Sequence, residues 1–195
     1  MVNSNFYITT PIYYTNDVPH IGHAYTTIAC DILSRFNKLS NNDVFFLSGT
    51  DEHGQKVEKA AKLVNTNPKN FVDELSTNFQ KLIPDLGCEI NDFIRTTEKR
   101  HIKSAQAFWN KLVKNKQIYL SNYEGWYSVR DEAFYQEEEL KSVNGKYITK
   151  NGSPVEWVKE ESYFFKLSAW EKKLIQFYED NPNKISPKSR YNEVL

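Results

Sequence analysis

The sequence predicts an α/β fold in which a parallel sheet alternates with amphipathic helices and carries a small β-rich insertion module. Three observations lead there. Over residues 1–117, short apolar segments alternate with segments of helical period, the pattern of successive β-α units. From about Tyr119 the alternation gives way to short strand-like runs with turn signals at Asn144-Gly145 and Asn151-Gly152. Beyond residue 167 helical periodicity returns.

Each element has its own warrant. Phe6-Tyr7-Ile8-Thr9-Thr10 has the β-branched and aromatic content of a strand, and Pro11 with Asn16-Asp17 supplies the turn chemistry that ends it. Ile21, Tyr25, Ile28, Ile32 and Phe36 recur at helical spacing. Residues 43–49 read as a second strand, apolar almost throughout and therefore expected to be covered on both faces. Val57, Ala60, Ala61 and Val64 mark one helix; Asn67-Pro68 opens the next, with Phe71, Leu75, Phe79, Leu82 and Leu86 on one face and Gly87 at its end. Residues 92–97 read as a third strand, followed by a helix with Ile102, Ala105, Phe108, Trp109 and Leu112.

In the module, Trp126, Tyr127, Phe134, Tyr135, Trp157, Phe164 and Phe165 are expected to make the core, because aromatics bury much area per residue where a broad core cannot form. Ser168 is expected to cap a helix carrying Trp170, Leu174, Phe177 and Tyr178, ended by Asn181-Pro182. Ser186-Pro187 opens a last helix running to Leu195.

Composition bounds the function classes. The 195 residues carry 25 basic and 25 acidic side chains, so no overall charge attracts nucleic acid and any RNA contact must be local. Lys111, Lys114 and Lys116, or Lys184, Lys188 and Arg190, offer such patches, although lysines on a solvated helix face explain them as well. No apolar run is long enough to span a bilayer, and no signal peptide precedes the first strand, so a soluble cytoplasmic protein is expected, with Cys30 and Cys88 as free thiols.

The chemistry concentrates at Pro19-His20-Ile21-Gly22-His23, between the first strand and the first helix. Free N–H groups and the positive end of the helix dipole attract phosphate there, and imidazoles can donate to its oxygens as charge develops. Gly22 leaves room for a flat ring against the backbone. Asp51, Glu52 and His53 follow the second strand, and ligands of open parallel sheets bind at that edge, so their side chains are expected to share one crevice with His20 and His23.

The His20 to His23 segment resembles the adenylate-binding signature of class I aminoacyl-tRNA synthetases. The runs from Thr10 to Val18, Phe45 to Gly54, Gly125 to Val129 and Glu161 to Leu167 are similar to methionyl-tRNA synthetases in particular. The resemblance implies a Rossmann-like nucleotide-binding half at residues 1–117, a connective insertion at 118–167 and a helical return segment at 168–195. It also implies methionine activation with Mg-ATP and transfer to tRNA(Met), by a monomer. His20 and His23 would act on the transferring phosphate, with His20, Gly22 and His23 binding ATP. Asp51 would pair with the α-ammonium of methionine, and Ile12 and Tyr14 would line its side-chain pocket. The alternatives, less favoured, are that Ile12 and Tyr14 are core residues and Asp51 a helix cap.

The family's insertion often holds zinc, but Ser128 and Asp131 stand where a Cys-x-x-Cys pair belongs, so no structural zinc is expected. The second half of the nucleotide fold, with its lysine-rich loop, is not found in these 195 residues, so the chain reads as an N-terminal part that is inactive alone. Two other classes fit the motif: a nucleotidylyltransferase using the same His-x-Gly-His, and a non-catalytic remnant that binds ligand or RNA.

Overall fold

The computed structural model describes residues 4–143 and 145–194, and the chain divides into two compact units, Met1–Ala107 and Phe108–Leu195.

The first unit is built on a parallel sheet. Its strands are β1 (Asn5–Thr9), β2 (Tyr13–Tyr14), β3 (Asp43–Asp51) and β4 (Asp92–Arg95). β3 is central: it pairs with β1 from Asn5↔Asp43 to Thr9↔Leu47, with β2 at Tyr13↔Thr50 and Tyr14↔Asp51, and with β4 from Leu47↔Asp92 to Thr50↔Arg95. The Leu47 carbonyl accepts from Thr10 N–H and the Phe46 carbonyl from Asn91 N–H. Successive carbonyls point to opposite edges, so β1 and β2 follow one edge of β3 and β4 lies on the other. Gly49, in register with Ile94, lets β4 approach β3, since a Cβ there would stand 2.2 Å from the Ile94 carbonyl oxygen.

Helices α1 (Ile21–Leu39), α2 (Gln55–Leu63) and α3 (Pro68–Asp85) make the connections, and α4 (Lys99–Lys114) follows β4. Asn67 caps α3 as expected, its side-chain oxygen accepting from Asn70 N–H at 2.9 Å, and Gly87 leaves the helix at φ +67°. Val57 and Ala61 of α2 and Val72, Leu75, Phe79 and Ile83 of α3 form the core with Val44 and Phe46.

Two expectations need correction here. Residues 43–47 of β3 are covered on one face only among the described residues: Val44 and Phe46 are buried and Phe45 is 45 % exposed, the alternation of a half-buried strand. In α1, the stripe from Ile21 to Phe36 sets the helical period, yet those side chains are largely exposed and the buried face is Ala24, Thr27, Asp31 and Ser34. Small side chains let a helix lie close on a sheet. Asp31 is tolerated there because Arg35 Nε donates to it at 2.6 Å and Glu89 N–H at 3.0 Å.

In the second unit the expected short strands are replaced by a long antiparallel ribbon of β5 (Ile118–Ser128) and β9 (Glu156–Phe165), paired from Ile118↔Phe165 to Tyr127↔Glu156. β6 (Ala133–Tyr135) extends the ribbon beside Trp126 to Ser128, and β7 (Lys141–Val143) with β8 (Lys146–Ile148) forms a hairpin. Asn144 of its expected turn lies outside the described residues; Gly145 has φ +76°. Of the expected aromatic core, Trp126, Tyr127, Phe134, Tyr135 and Phe164 are half-buried, with Tyr127 against Phe134 at 4.8 Å, but Trp157 and Phe165 are 54 % and 43 % exposed, and the fully buried side chains are Ser128, Thr149 and Ser153. Ser168 does not cap the next helix. It lies in a 3-10 turn, Leu167–Ala169, and α5 (Glu171–Asp180) begins after Trp170 with no side-chain cap. α6 is Lys188–Val194. No helix among the described residues is long and apolar enough to cross a membrane.

Candidate active site

α1 begins where the chain leaves β2, at the C-terminal edge of the sheet, and its first turn is closed by two histidines. His20 is the N-cap residue, with extended backbone. Its Nδ1 accepts from Gly22 N–H at 3.1 Å, while its own N–H donates to Nδ1 of His23 at 3.0 Å. This is a capping box with imidazoles in both places. The rings lie 3.9 Å apart, centroid to centroid.

The cap fixes the tautomers. An Nδ1 that accepts from a backbone N–H carries no proton, so in each neutral ring the proton sits on Nε2. The pair therefore presents two Nε2–H donors at the positive end of a 19-residue helix. Burial and then the neighbouring His20 lower the pKa of His23. Gly22 has a local reason as well, because a Cβ there would come within 3.0 Å of His20 Cε1 and 3.1 Å of its Nδ1.

Tyr13 and Phe79, which sequence reasoning did not single out, form the floor. His23 meets Tyr13 edge-on at 4.8 Å and Phe79 at 5.0 Å, and Tyr13 stacks on Phe79 at 5.5 Å. The buried Tyr13 hydroxyl shares a hydrogen bond with Thr27 Oγ1 at 2.7 Å and donates to the His23 carbonyl at 3.2 Å, and burial pushes its pKa up. The signal is the adjacent pair Tyr13-Tyr14, but one strand residue in two turns inward and the sequence alone does not say which.

β2 brings Tyr14 into register with Asp51, so these two predicted site residues are adjacent across strands. The Asp51 carbonyl accepts from both Thr15 N–H at 3.1 Å and Thr15 Oγ1 at 3.0 Å. Ile12, in the loop before β2, is 45 % exposed.

Glu52 does not face the crevice, contrary to expectation. Its carboxylate is buried and takes hydrogen bonds from Arg95 Nε at 2.6 Å, Arg95 Nη2 at 2.9 Å, Thr50 Oγ1 at 2.6 Å and Thr97 Oγ1 at 2.5 Å. Burial works against its charge, but the Arg95 fork and the two hydroxyls outweigh it and hold the carboxyl below the usual range. His53, exposed beyond the strand, shares a hydrogen bond between Nδ1 and Thr96 Oγ1 at 3.1 Å.

In the second unit, Ser128 and Asp131, at the expected zinc-ligand positions, join a buried polar knot. Asp131 accepts from Ser128 Oγ at 3.0 Å, Ser153 Oγ at 3.1 Å and Tyr135 OH at 3.2 Å. Ser153 N–H donates to Thr149 Oγ1 at 3.1 Å. Among the described residues no group of three or more His, Cys, Asp or Glu side chains is arranged to hold a metal ion. Cys30 and Cys88 are free thiols. Lys111 and Lys114 lie in the last turn of α4.

A parallel sheet that delivers a histidine-capped helix to its C-terminal edge defines a Rossmann-like α/β protein, and the chain belongs to the class I tRNA synthetases. The family described as tRNA synthetases class I (M) matches residues 6–195. Within it, the methionine–tRNA ligase of Rickettsia bellii (strain RML369-C) is 56 % identical over 194 residues, covering 100 % of this chain and 38 % of that protein. The methionine–tRNA ligase of Rhizobium meliloti (strain 1021) is 50 % identical over 193 residues, covering 98 % and 37 %. Mycobacterium tuberculosis methionyl-tRNA synthetase in complex with methionyl-adenylate superimposes with a TM-score of 0.91 at 44 % identity, over 98 % of this chain and 38 % of that one. The chain thus spans 38 % of the length of its Rickettsia bellii relative.

Proposed function

We propose that the chain is the N-terminal catalytic part of a methionine–tRNA ligase, with residues 1–117 as the first half of the nucleotide fold, 118–167 as the connective insertion and 168–195 as the return segment. The observation that carries this reading is the reciprocal His20–His23 cap, which leaves two Nε2–H donors at a helix N-terminus. An adenylating enzyme needs donors of that kind where charge builds on a phosphate.

In the reaction, a carboxylate oxygen of methionine attacks the α-phosphorus of Mg-ATP. The new O–P bond forms as the bond to the β-phosphate oxygen breaks, releasing pyrophosphate and leaving methionyl-adenylate. A ribose hydroxyl at the end of tRNA(Met) then attacks the methionyl carbonyl and AMP leaves. No protein nucleophile is required; positioning and charge stabilisation do the chemistry. His20 and His23 donate to the phosphate, and Gly22 lets the adenine approach the backbone. Asp51 pairs with the α-ammonium, while Tyr14 and Ile12 line the thioether pocket. The register that sets Tyr14 beside Asp51 supports one pocket for both ends of the amino acid. The free Cys30 and Cys88 suit a reducing cytoplasm, in which we place the enzyme as a monomer.

The test uses a completed enzyme, in which residues 1–195 continue into the remaining sequence of the Rickettsia bellii relative. It is expected to catalyse methionine-dependent ATP–pyrophosphate exchange. Asp51→Asn should weaken methionine binding by about 2–4 kcal/mol, because a desolvated ammonium loses its charged partner. Calorimetry that finds unchanged affinity removes Asp51 from the site.

A further inference from the structure

The motif that carries Asp51 also carries Glu52 and His53, and recognition of methionine at Asp51 does not by itself use Glu52. A fully buried carboxylate is costly unless it is paired and fully hydrogen-bonded. Here it is: each Glu52 oxygen takes one bond from the Arg95 fork and one from a threonine hydroxyl, and Arg95 is itself only 18 % exposed. The guanidinium also reaches Asp73 on α3, so one side chain ties β4 to both β3 and α3.

The main chain around Glu52 is held as well. Glu52 N–H donates to Thr96 Oγ1 at 3.0 Å, Thr96 N–H donates to the Thr50 carbonyl at 3.3 Å, and the same Thr96 hydroxyl meets His53 Nδ1. On the other side, Thr15 holds the Asp51 carbonyl with two bonds. Successive side chains along a strand point to opposite faces, so a Glu52 locked into the interior leaves Asp51, in register with Tyr14 of β2, on the opposite face. Positions 50 to 53 are over-determined, far beyond what closing a sheet edge requires.

We propose that Arg95 is a positioning residue for substrate recognition. By clamping Glu52 it fixes the direction in which Asp51 is presented to the ammonium of an α-amino acid and the place at which His53 stands beside it. It touches no substrate. The inference rests on the reading of Asp51 given above, and the test separates the two.

In the completed enzyme, Arg95→Lys keeps the positive charge and loses the two-pronged fork, while Thr97→Val removes one donor to Glu52 and leaves the ion pair in place. Both are measured beside Asp51→Asn, with KM for methionine, KM for ATP and thermal melting recorded for each. Loss of an aligned charged hydrogen bond predicts a rise of about tenfold in KM for methionine in Arg95→Lys, a smaller rise in Thr97→Val, and KM for ATP within about twofold of the parent in both. Should Arg95→Lys fail to fold, Thr97→Val decides. Unchanged KM for methionine in the folded variants, or equal rises for methionine and ATP, overturns the inference while a strong Asp51→Asn defect leaves the site reading standing. An Asp51→Asn protein with normal KM for methionine removes both.

Discussion

Ser128 and Asp131 hold each other by two hydrogen bonds: the Ser128 hydroxyl donates to Asp131 Oδ2 at 3.0 Å, and the Asp131 N–H donates back to Ser128 Oγ at 3.2 Å. The spacing is that of a metal-binding pair, but the contents are a hydroxyl and a carboxylate that satisfy each other. Ser153 and Tyr135 complete the shell around Asp131, whose carboxyl lies below its usual range because those hydrogen bonds outweigh its desolvation.

From that arrangement, Asp131→Ala is expected to loosen the second unit by leaving the buried Ser128 and Ser153 hydroxyls without their acceptor. Limited proteolysis should then cut between β5 and β9 faster than in the parent. The parent protein should hold less than one zinc per chain by atomic absorption and melt at the same temperature with or without chelator. Stoichiometric zinc, with melting lowered by its removal, contradicts the assignment.

Glu52 sets a pH dependence of a definite sign. Its folded pKa lies below the unfolded value of about 4.3, so the stability it contributes is fully present above that pH and is lost as pH falls through the folded value. Urea denaturation should therefore show stability falling on acidification below about pH 4.3. Glu52→Gln should cost about 1–3 kcal/mol at pH 7, since a neutral amide pairs poorly with Arg95, and should flatten that acid limb. An unaltered acid limb in the variant shows that another group dominates it.

Much of this architecture is legible from local pattern alone. Asn67-Pro68 and Gly87 bracket α3 because capping chemistry is local, and residues 43–49 announce a strand by composition. The direction of Glu52 is not legible. Side by side in the chain, Asp51 and Glu52 are chemically alike, and partners far along the chain, Arg95 and Thr97, hold Glu52 as the buried one. The same limit hides the core of the second unit. Ser128 and Asp131 read as absent ligands, and their partner Ser153 carries no sequence signal, since a serine near a turn is ordinary. In α1, helical period is legible from Ile21, Tyr25 and Ile28, but which face meets the sheet depends on how closely the backbone approaches, and the small residues win.

Gly22 offers a test in which stability and activity move apart. Alanine is a better helix former than glycine by about 1 kcal/mol, a gain of the same size as the loss of an N-cap, so Gly22→Ala should change the melting temperature little. Its Cβ, however, would stand 3.0 Å from His20 Cε1 and push the imidazole off its cap. Displacement of a group that must meet developing charge should slow pyrophosphate exchange in the completed enzyme by about 10- to 100-fold. An Ala variant with parental exchange shows that the position of the His20 ring is not critical.

The two histidines themselves give the sharpest expectation. Adenylate formation needs stabilising groups around a whole phosphate, and a partly assembled site forfeits orders of magnitude in rate. Residues 1–195 alone are thus expected to show no methionine-dependent ATP–pyrophosphate exchange above background, while the completed enzyme does. In that enzyme, replacing both His20 and His23 by Ala removes the capping box and both Nε2–H donors together. Donors that act on charge arising only in the transition state lower kcat and leave ground-state binding nearly intact, so exchange should fall by at least about 100-fold with methionine affinity little changed. Because the cap also satisfies two backbone N–H groups, a His20→Asn, His23→Gln variant is the control. It restores side-chain acceptors to the helix start without the imidazole donors, and it should recover stability but not exchange. Exchange by the isolated chain overturns the argument from partial assembly, and exchange by the Asn/Gln variant at the parental rate overturns the role assigned to the imidazoles.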